Sequence, residues 1–237
     1  MLKLRRDDGI TPIIGVILLL AILSTLVVIL QVSGLPAWNY DVEFEHSQEV
    51  GGDIQRLDAA VSEVASTDSQ RSVVVELGTR YPNRVVLVNP SPVSGSLRTE
   101  QGSVSISNSV SVEDGVRGYW NGTEHSYSTR SVTYEPNYNY YQDAPSRVYE
   151  NGVLYDSGDD GEVVLGGQSL VNGDRINIVA LSGSLSTSSV EPATVSLVPV
   201  SVSRTSVAVT NSTEEGMSLT LDSRLSSEDW ESLLADE

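Results

Sequence analysis

The first hydrophobic stretch of the chain carries no charged residue from Gly9 to Tyr40, and it follows closely on the cationic positions Lys3, Arg5 and Arg6. A helix from Ile10 to Val32, rising about 1.5 Å per residue, extends roughly 34 Å, more than the about 30 Å of a bilayer's hydrocarbon core. The pattern predicts a charged leader over residues 1–9 and a transmembrane helix over residues 10–33. Cationic residues are retained on the cytoplasmic side, so the N-terminus is expected inside and the remainder of the chain outside.

Beyond this run, Gly34 and Pro36 are expected to interrupt or kink the helix, because proline lacks the N–H and clashes with the preceding turn. Trp38, Val42, Val50, Ile54, Leu57, Val61 and Val64 then recur at helical spacing, which predicts a helical stalk over residues 34–70. Gly51-Gly52 is a candidate break, and Tyr40, Val42 and Phe44 also fit the alternation of a strand. The stalk either carries the head at its end or packs beneath it.

From Arg71 the period changes to two. The β-branched runs Ser72–Leu77 and Arg84–Val88, closed by Gly78 and Asn89-Pro90, read as strands. Further strands are expected at 103–112, 131–135, 147–150, 153–156, 162–165, 175–181, 194–200, 206–210 and 218–221. Asn151-Gly152 is the strongest hairpin signal, since a type I′ turn needs positive φ at both central residues. The fold class is therefore α+β: a membrane and stalk helix, an antiparallel β-sandwich-like head over residues 71–222, and a short helix over 223–237. In that last helix Ser226 or Ser227 caps an acidic first turn, and Trp230, Leu233 and Leu234 share a face, with Trp230 a packing anchor.

The apolar run itself has three readings. A cleaved secretory signal has an apolar region of about 7–15 residues; the run from Ile13 to Leu30 is longer, although Ser33, Gly34 and Ala37 are small residues of the kind such a site needs. An uncleaved signal anchor accounts for length and charge alike. The third reading is a resemblance. The stretch Arg5-Arg6-Asp7-Asp8-Gly9-Ile10-Thr11-Pro12-Ile13-Ile14-Gly15-Val16-Ile17-Leu18-Leu19 resembles the N-terminus of archaeal type IV pilins and pilin-like surface proteins, especially those of halophilic archaea. The resemblance implies that a membrane-embedded prepilin peptidase cuts between Gly9 and Ile10 and that the apolar helix stays on the mature protein. It also implies self-association or contact with other surface proteins. Many bacterial pilins carry a glutamate near the start of the mature helix; here that position is Ile14, which removes one direct sign of polymerisation.

Composition adds habitat. The net charge is −18, and of 14 basic residues only Lys3 is lysine. Dense carboxylates keep a protein hydrated in molar salt, where the Debye length falls to about 3 Å and self-repulsion is screened. This acidity also removes the basic footprint that nucleic-acid binding requires. There is no cysteine, hence no disulfide framework and no thiolate nucleophile.

Candidate chemistry is sparse. His46 and His125 lie in no metal-ligand spacing, and neither a phosphate-binding glycine loop nor a nucleophile elbow occurs, so no catalytic residue and no cofactor are assigned. The acidic loop holding Asp156, Asp159, Asp160 and Glu162 offers hard-cation ligands, but Gly167 stands where an EF-hand places its bidentate glutamate, and a solvated turn is the favoured reading. Eight tyrosines between Tyr119 and Tyr155 either fill strand faces or form a recognition surface. The sequons at Asn121 and Asn211 are candidate glycosylation sites if the head is external. Taken together, the expectation is a pilin-like, non-enzymatic surface protein in adhesion or filament assembly. The alternative is a signal-anchored binding module that does not polymerise.

Overall fold

An unbroken helical path runs from Ile10 to Thr67 in the computed structural model, which describes residues 10–203, 205–214 and 216–235. It consists of α1 (Ile10–Ile29), one π-helical turn (Leu30–Gly34) and α2 (Leu35–Thr67). At about 1.5 Å per residue its length is roughly 86 Å. The expected interruption at Gly34 and Pro36 does not occur. The Leu35 N–H reaches back to the Leu30 carbonyl, widening the turn directly before Pro36, and a wide π turn relieves the crowding that a proline ring brings to the preceding turn of a continuous helix. Gly51-Gly52 also leaves the helix intact. Asp68 ends it in the left-handed region, its N–H bonded to the Val64 carbonyl at 3.1 Å.

The two halves of this path meet different surroundings. The large side chains of α1 from Ile13 to Ile29 are exposed all round, whereas α2 buries Val50, Ile54, Leu57, Val61 and Val64. This helix is long and apolar enough to cross a membrane.

The head is built from antiparallel sheets. In the largest, β2 (Ser94–Ser107) pairs along its length with β4 (His125–Asn137). The order continues through β5 (Ser146–Glu150) and β6 (Val153–Gly158) to β7 (Gly161–Val164). The other edge of β2 takes β10 (Ser186–Ser189) at one end and β13 (Ser218–Leu221) at the other. A ribbon of β1 (Arg71–Val75) and β11 (Ala193–Leu197) lies apart from it, as do β3 (Ser109–Ser111) with β12 (Val209–Asn211), and β8 (Val171–Asn172) with β9 (Arg175–Ile176).

One core joins these layers. Val50, Ile54, Leu57 and Val61 of α2 pack with Val73 and Val75 of β1 and with Leu97, Val132, Tyr134, Tyr149 and Leu154 of the large sheet. Burying such side chains contributes about 1.5–3 kcal/mol each. The helix is thus a wall of the head, and of the two stalk arrangements the packed one is found. Close backbone approach is built in: a Cβ on Gly78 would lie 2.2 Å from the Val93 carbonyl oxygen, so only glycine fits there.

Local signals hold at the hairpin and at the C-terminus. Asn151 and Gly152 have φ of 50° and 79° and join β5 to β6. Helix α3 (Ser227–Ala235) begins with a reciprocal cap, the Asp229 N–H donating to Ser226 Oγ at 3.2 Å and the Ser226 N–H to Asp229 Oδ2 at 3.0 Å. Trp230 and Leu233 pack on Val148, Val153, Tyr155 and Leu225, while Leu234 is exposed and leaves the shared face. Other strands shrink: 175–181 retains only Arg175–Ile176, and 206–210 becomes Val209–Asn211. Arg84–Val88 is not a strand, since Pro82, Pro90 and Pro92 bracket it and, among the described residues, no strand pairs with it.

Candidate functional site

Between Leu35 and Val50 the helical residues buried against the head are mostly polar. Stepping back along α2 from Val50 by threes and fours reaches Ser47, His46, Glu43, Asn39 and Leu35, all buried. Trp38, Tyr40 and Phe44 are exposed and Val42 only half-buried, so the apolar stripe expected through Trp38 and Val42 is replaced by a polar one. The strand reading of Tyr40, Val42 and Phe44 is overturned as well. Tyr40 and Phe44 stack one helical turn apart at 6.5 Å, with Tyr141 at 5.2 Å from Tyr40.

Glu43 is the centre of this polar seam. Its carboxylate accepts the Tyr81 hydroxyl and the backbone N–H groups of Asn139, Tyr140 and Tyr141, at 3.0, 2.8 and 2.7 Å. One helical side chain thereby satisfies the turn after β4, the segment of the tyrosine-rich run that was the candidate recognition surface. Burial and the Glu43 carboxylate push the Tyr81 hydroxyl well above the ordinary tyrosine range. Asn139 Nδ2 closes the group on Tyr81 Oη at 2.8 Å.

Three further contacts extend the seam. His46 Nδ1 lies 2.7 Å from Tyr138 Oη, and burial lowers the His46 pKa, reinforced by Arg147 and opposed by Asp53. Arg147 of β5 is itself buried, donates to Ser47 Oγ at 3.2 Å and faces Asp156 at 3.5 Å. It lies where a Cβ on Gly51 would meet its Nε at 3.1 Å, which gives the helical glycine its reason. Asp53 accepts the Glu76 N–H at 2.8 Å and pairs with Arg56. No single stretch of sequence announces this set; the usable signal was the four-residue spacing of Leu35, Asn39, Glu43 and Ser47.

Nearer α1, the segment from Pro82 to Pro92 is stapled to the helix. Gln31 Nε2 donates to the Val88 carbonyl at 2.9 Å, and the Val88 N–H donates to Gln31 Oε1 at 3.0 Å. The Arg84 guanidinium donates to Asn39 and Asn89 at 2.9 and 3.0 Å and sits 5.3 Å above the Trp38 ring. A hollow of about 610 Å³ lined by Arg80, Tyr81, Arg84, Leu87 and Asn89 lies beside the segment.

The other candidate positions separate. Asp156 is taken up by Arg147, Asp159 and Asp160 sit in the exposed β6–β7 turn, and Glu162 pairs across that hairpin with Ser157. Among the described residues no group of three metal-ligating side chains gathers. Tyr134, Tyr149 and Tyr155 fill the core, whereas Tyr119 is exposed, stacked on His125 at 4.1 Å and edge-on to Trp120. Asn121 and Asn211 are both exposed, and the two sequons adjoin: a Cβ on Gly122 would lie 3.0 Å from Ser212 Cβ. Gly9 and the rest of the leader lie outside the described residues; Ile10 is the first residue of α1.

No family model matches the chain, and no solved structure matches it. An uncharacterized protein of the archaeon Archaeoglobus fulgidus is similar, 31% identical over 156 residues. The match covers 64% of this chain and 26% of that relative, so the chain spans about a quarter of its length.

Two outcomes test the seam. Glu43→Ala leaves a buried hydroxyl and three N–H groups without their acceptor and is expected to lower stability by about 3–5 kcal/mol in urea unfolding; a loss under about 1 kcal/mol would remove the seam's structural role. His46 sits below its ordinary value of 6.5 in the fold, so its contribution is complete above about pH 6.5 and declines as acid protonates the unfolded chain first. His46→Gln should flatten the fall in stability between about pH 7 and pH 5 relative to the parent.

Proposed function

We propose that the chain is a pilin-like surface protein of a halophilic archaeon, anchored by α1 with its head outside the cell, serving adhesion or the assembly of a type IV pilus-like filament rather than catalysis. The observation that carries this reading is the division of one helix into a bare apolar half and a half that walls the head core. A helix without a charged side chain, apolar around its circumference from Pro12 to Ile29 apart from Ser24 and Thr25 and covered by none of the described residues, needs an apolar surrounding, either lipid or like helices of other subunits. The leader motif around Gly9 and Ile10 supports retention of that helix after processing by a prepilin peptidase-like enzyme, and the leader's Lys3, Arg5 and Arg6 support an internal N-terminus. The acidic, lysine-poor composition supports the halophilic habitat, and the similar protein is archaeal.

In this reading the head is sandwich-like, with the β1–β11 ribbon and α2 facing the large sheet. Strand β2 begins beside the junction with α2 and ends next to β3, roughly 43 Å away at about 3.3 Å per residue. The cluster of exposed Tyr119 with half-buried Trp120 and His125, together with both sequons, belongs to that far end, which suits an outward-facing adhesive and glycosylated tip. The second reading, an uncleaved anchor carrying a binding module, is favoured by Ile14, which supplies no acidic partner for a neighbouring subunit's amine.

Mass spectrometry of the membrane-extracted protein separates the two. The pilin-like reading expects Ile10 as the mature N-terminus, with a bulky substitution at Gly9 blocking the cut; retention of Lys3 to Gly9 on the native protein would decide for the anchor.

A further inference from the structure

The segment from Pro82 to Pro92 descends the helix toward its bare end. Tyr81 is bonded to Glu43, Arg84 to Asn39, and Val88 to Gln31, so the contacts fall by twelve helical positions, about 18 Å at 1.5 Å per residue. At the lower end Val85 is fully exposed, and Val86 and Val88 are 64% and 77% exposed. A β-branched apolar run held in water by two side-chain amide bonds is costly unless something covers it.

We propose that this loop is a second membrane contact, its valines resting in the outer boundary of the bilayer that α1 crosses and its Arg84 facing anionic headgroups. The inference rests on the membrane-anchor reading above. Three observations choose lipid as the occupant. Gln31 lies about 32 Å along the helix from Ile10, which places it at the edge of an about 30 Å hydrocarbon core, and the loop is bonded to Gln31 itself. The exposed valines therefore continue the apolar surface of α1, with Val32 exposed beside them. Charge agrees: in a chain with 32 acidic residues, no Asp or Glu occurs between Glu76 and Glu100, while Arg80, Arg84 and Arg98 do. An anionic surface would repel most of this head but not this segment. Trp38, exposed beneath the Arg84 guanidinium, adds the amphipathic ring typical of a membrane–water boundary.

With two attachments, the bilayer would fix the tilt of the head as well as its location. A helix alone leaves the head free to lean; the loop adds a second point to one side of it.

Because the chain has no cysteine, single probes can be placed cleanly. The full chain is reconstituted into phosphatidylcholine vesicles with or without phosphatidylglycerol, carrying an environment-sensitive fluorophore on Val85→Cys, Val86→Cys, Val28→Cys in α1, or Val200→Cys on the head. Lipid-borne quencher is expected to reduce emission from positions 85 and 86 by about twofold or more, as at position 28, with little effect at 200. Phosphatidylglycerol should increase that quenching, and Arg84→Glu should remove the increase. Quenching at 28 with positions 85 and 86 behaving like 200 overturns the loop contact and leaves the anchor standing. Absence of quenching at 28 overturns the anchor reading and this inference together. Shielding at 85 that persists in detergent and vanishes on dilution would assign the loop to a second copy of the chain and overturn the lipid contact.

Discussion

One helix has to satisfy two surroundings, and everything else in the molecule follows from where it changes between them. From Pro12 to Ile29 the side chains are exposed and, apart from Ser24 and Thr25, apolar around the circumference; from Leu35 to Thr67 only one stripe is buried and the rest meets water. The change is made without ending the helix. A single wide turn over Leu30–Gly34 takes up Gly34 and makes room for Pro36 just after it, so the two halves stay mechanically continuous. Any orientation imposed on α1 is transmitted to the head core, because Val50, Ile54, Leu57 and Val61 are part of that core.

The joint is held differently at each level. Deep in the head the helix is fixed by apolar packing, which is non-directional. Between Asn39 and Asp53 it is fixed by polar groups whose geometry is specific: Glu43 on three successive N–H groups, His46 on Tyr138, Asp53 on the Glu76 N–H. A carboxylate buried this way favours one register of helix against sheet, since a shift of one turn would strand it without partners. The polar seam therefore supplies uniqueness where the apolar core supplies most of the stabilisation.

This division also explains what could be read from sequence. The apolar helix, the Asn151-Gly152 hairpin and the Ser226–Asp229 cap were legible because each is decided by neighbours a few residues away. The polar seam was not, because Glu43 is explained only by Tyr81 and by Asn139 to Tyr141, far along the chain. Trp38 and Val42 have the hydrophobicity and spacing of a buried stripe, whereas the stripe that is buried there is Leu35, Asn39, Glu43 and Ser47. Arg84–Val88 has the β-branched pattern of a strand; the prolines around it weigh against that reading locally, but the missing partner strand is something no local pattern can reveal. The pairing of the two sequons at Gly122 and Ser212 is likewise a product of β3 meeting β12.

The central claim, that the second half of the helix is an integral wall of the head, is tested most directly by truncation. A chain beginning at Leu35 and one beginning at Arg71 would be compared by urea unfolding in high salt. The account predicts a single cooperative transition for the first and no cooperative transition for the second, whose Leu97, Tyr134 and Tyr149 would lose the helix they pack against. Equal cooperative stability of the two chains would contradict it.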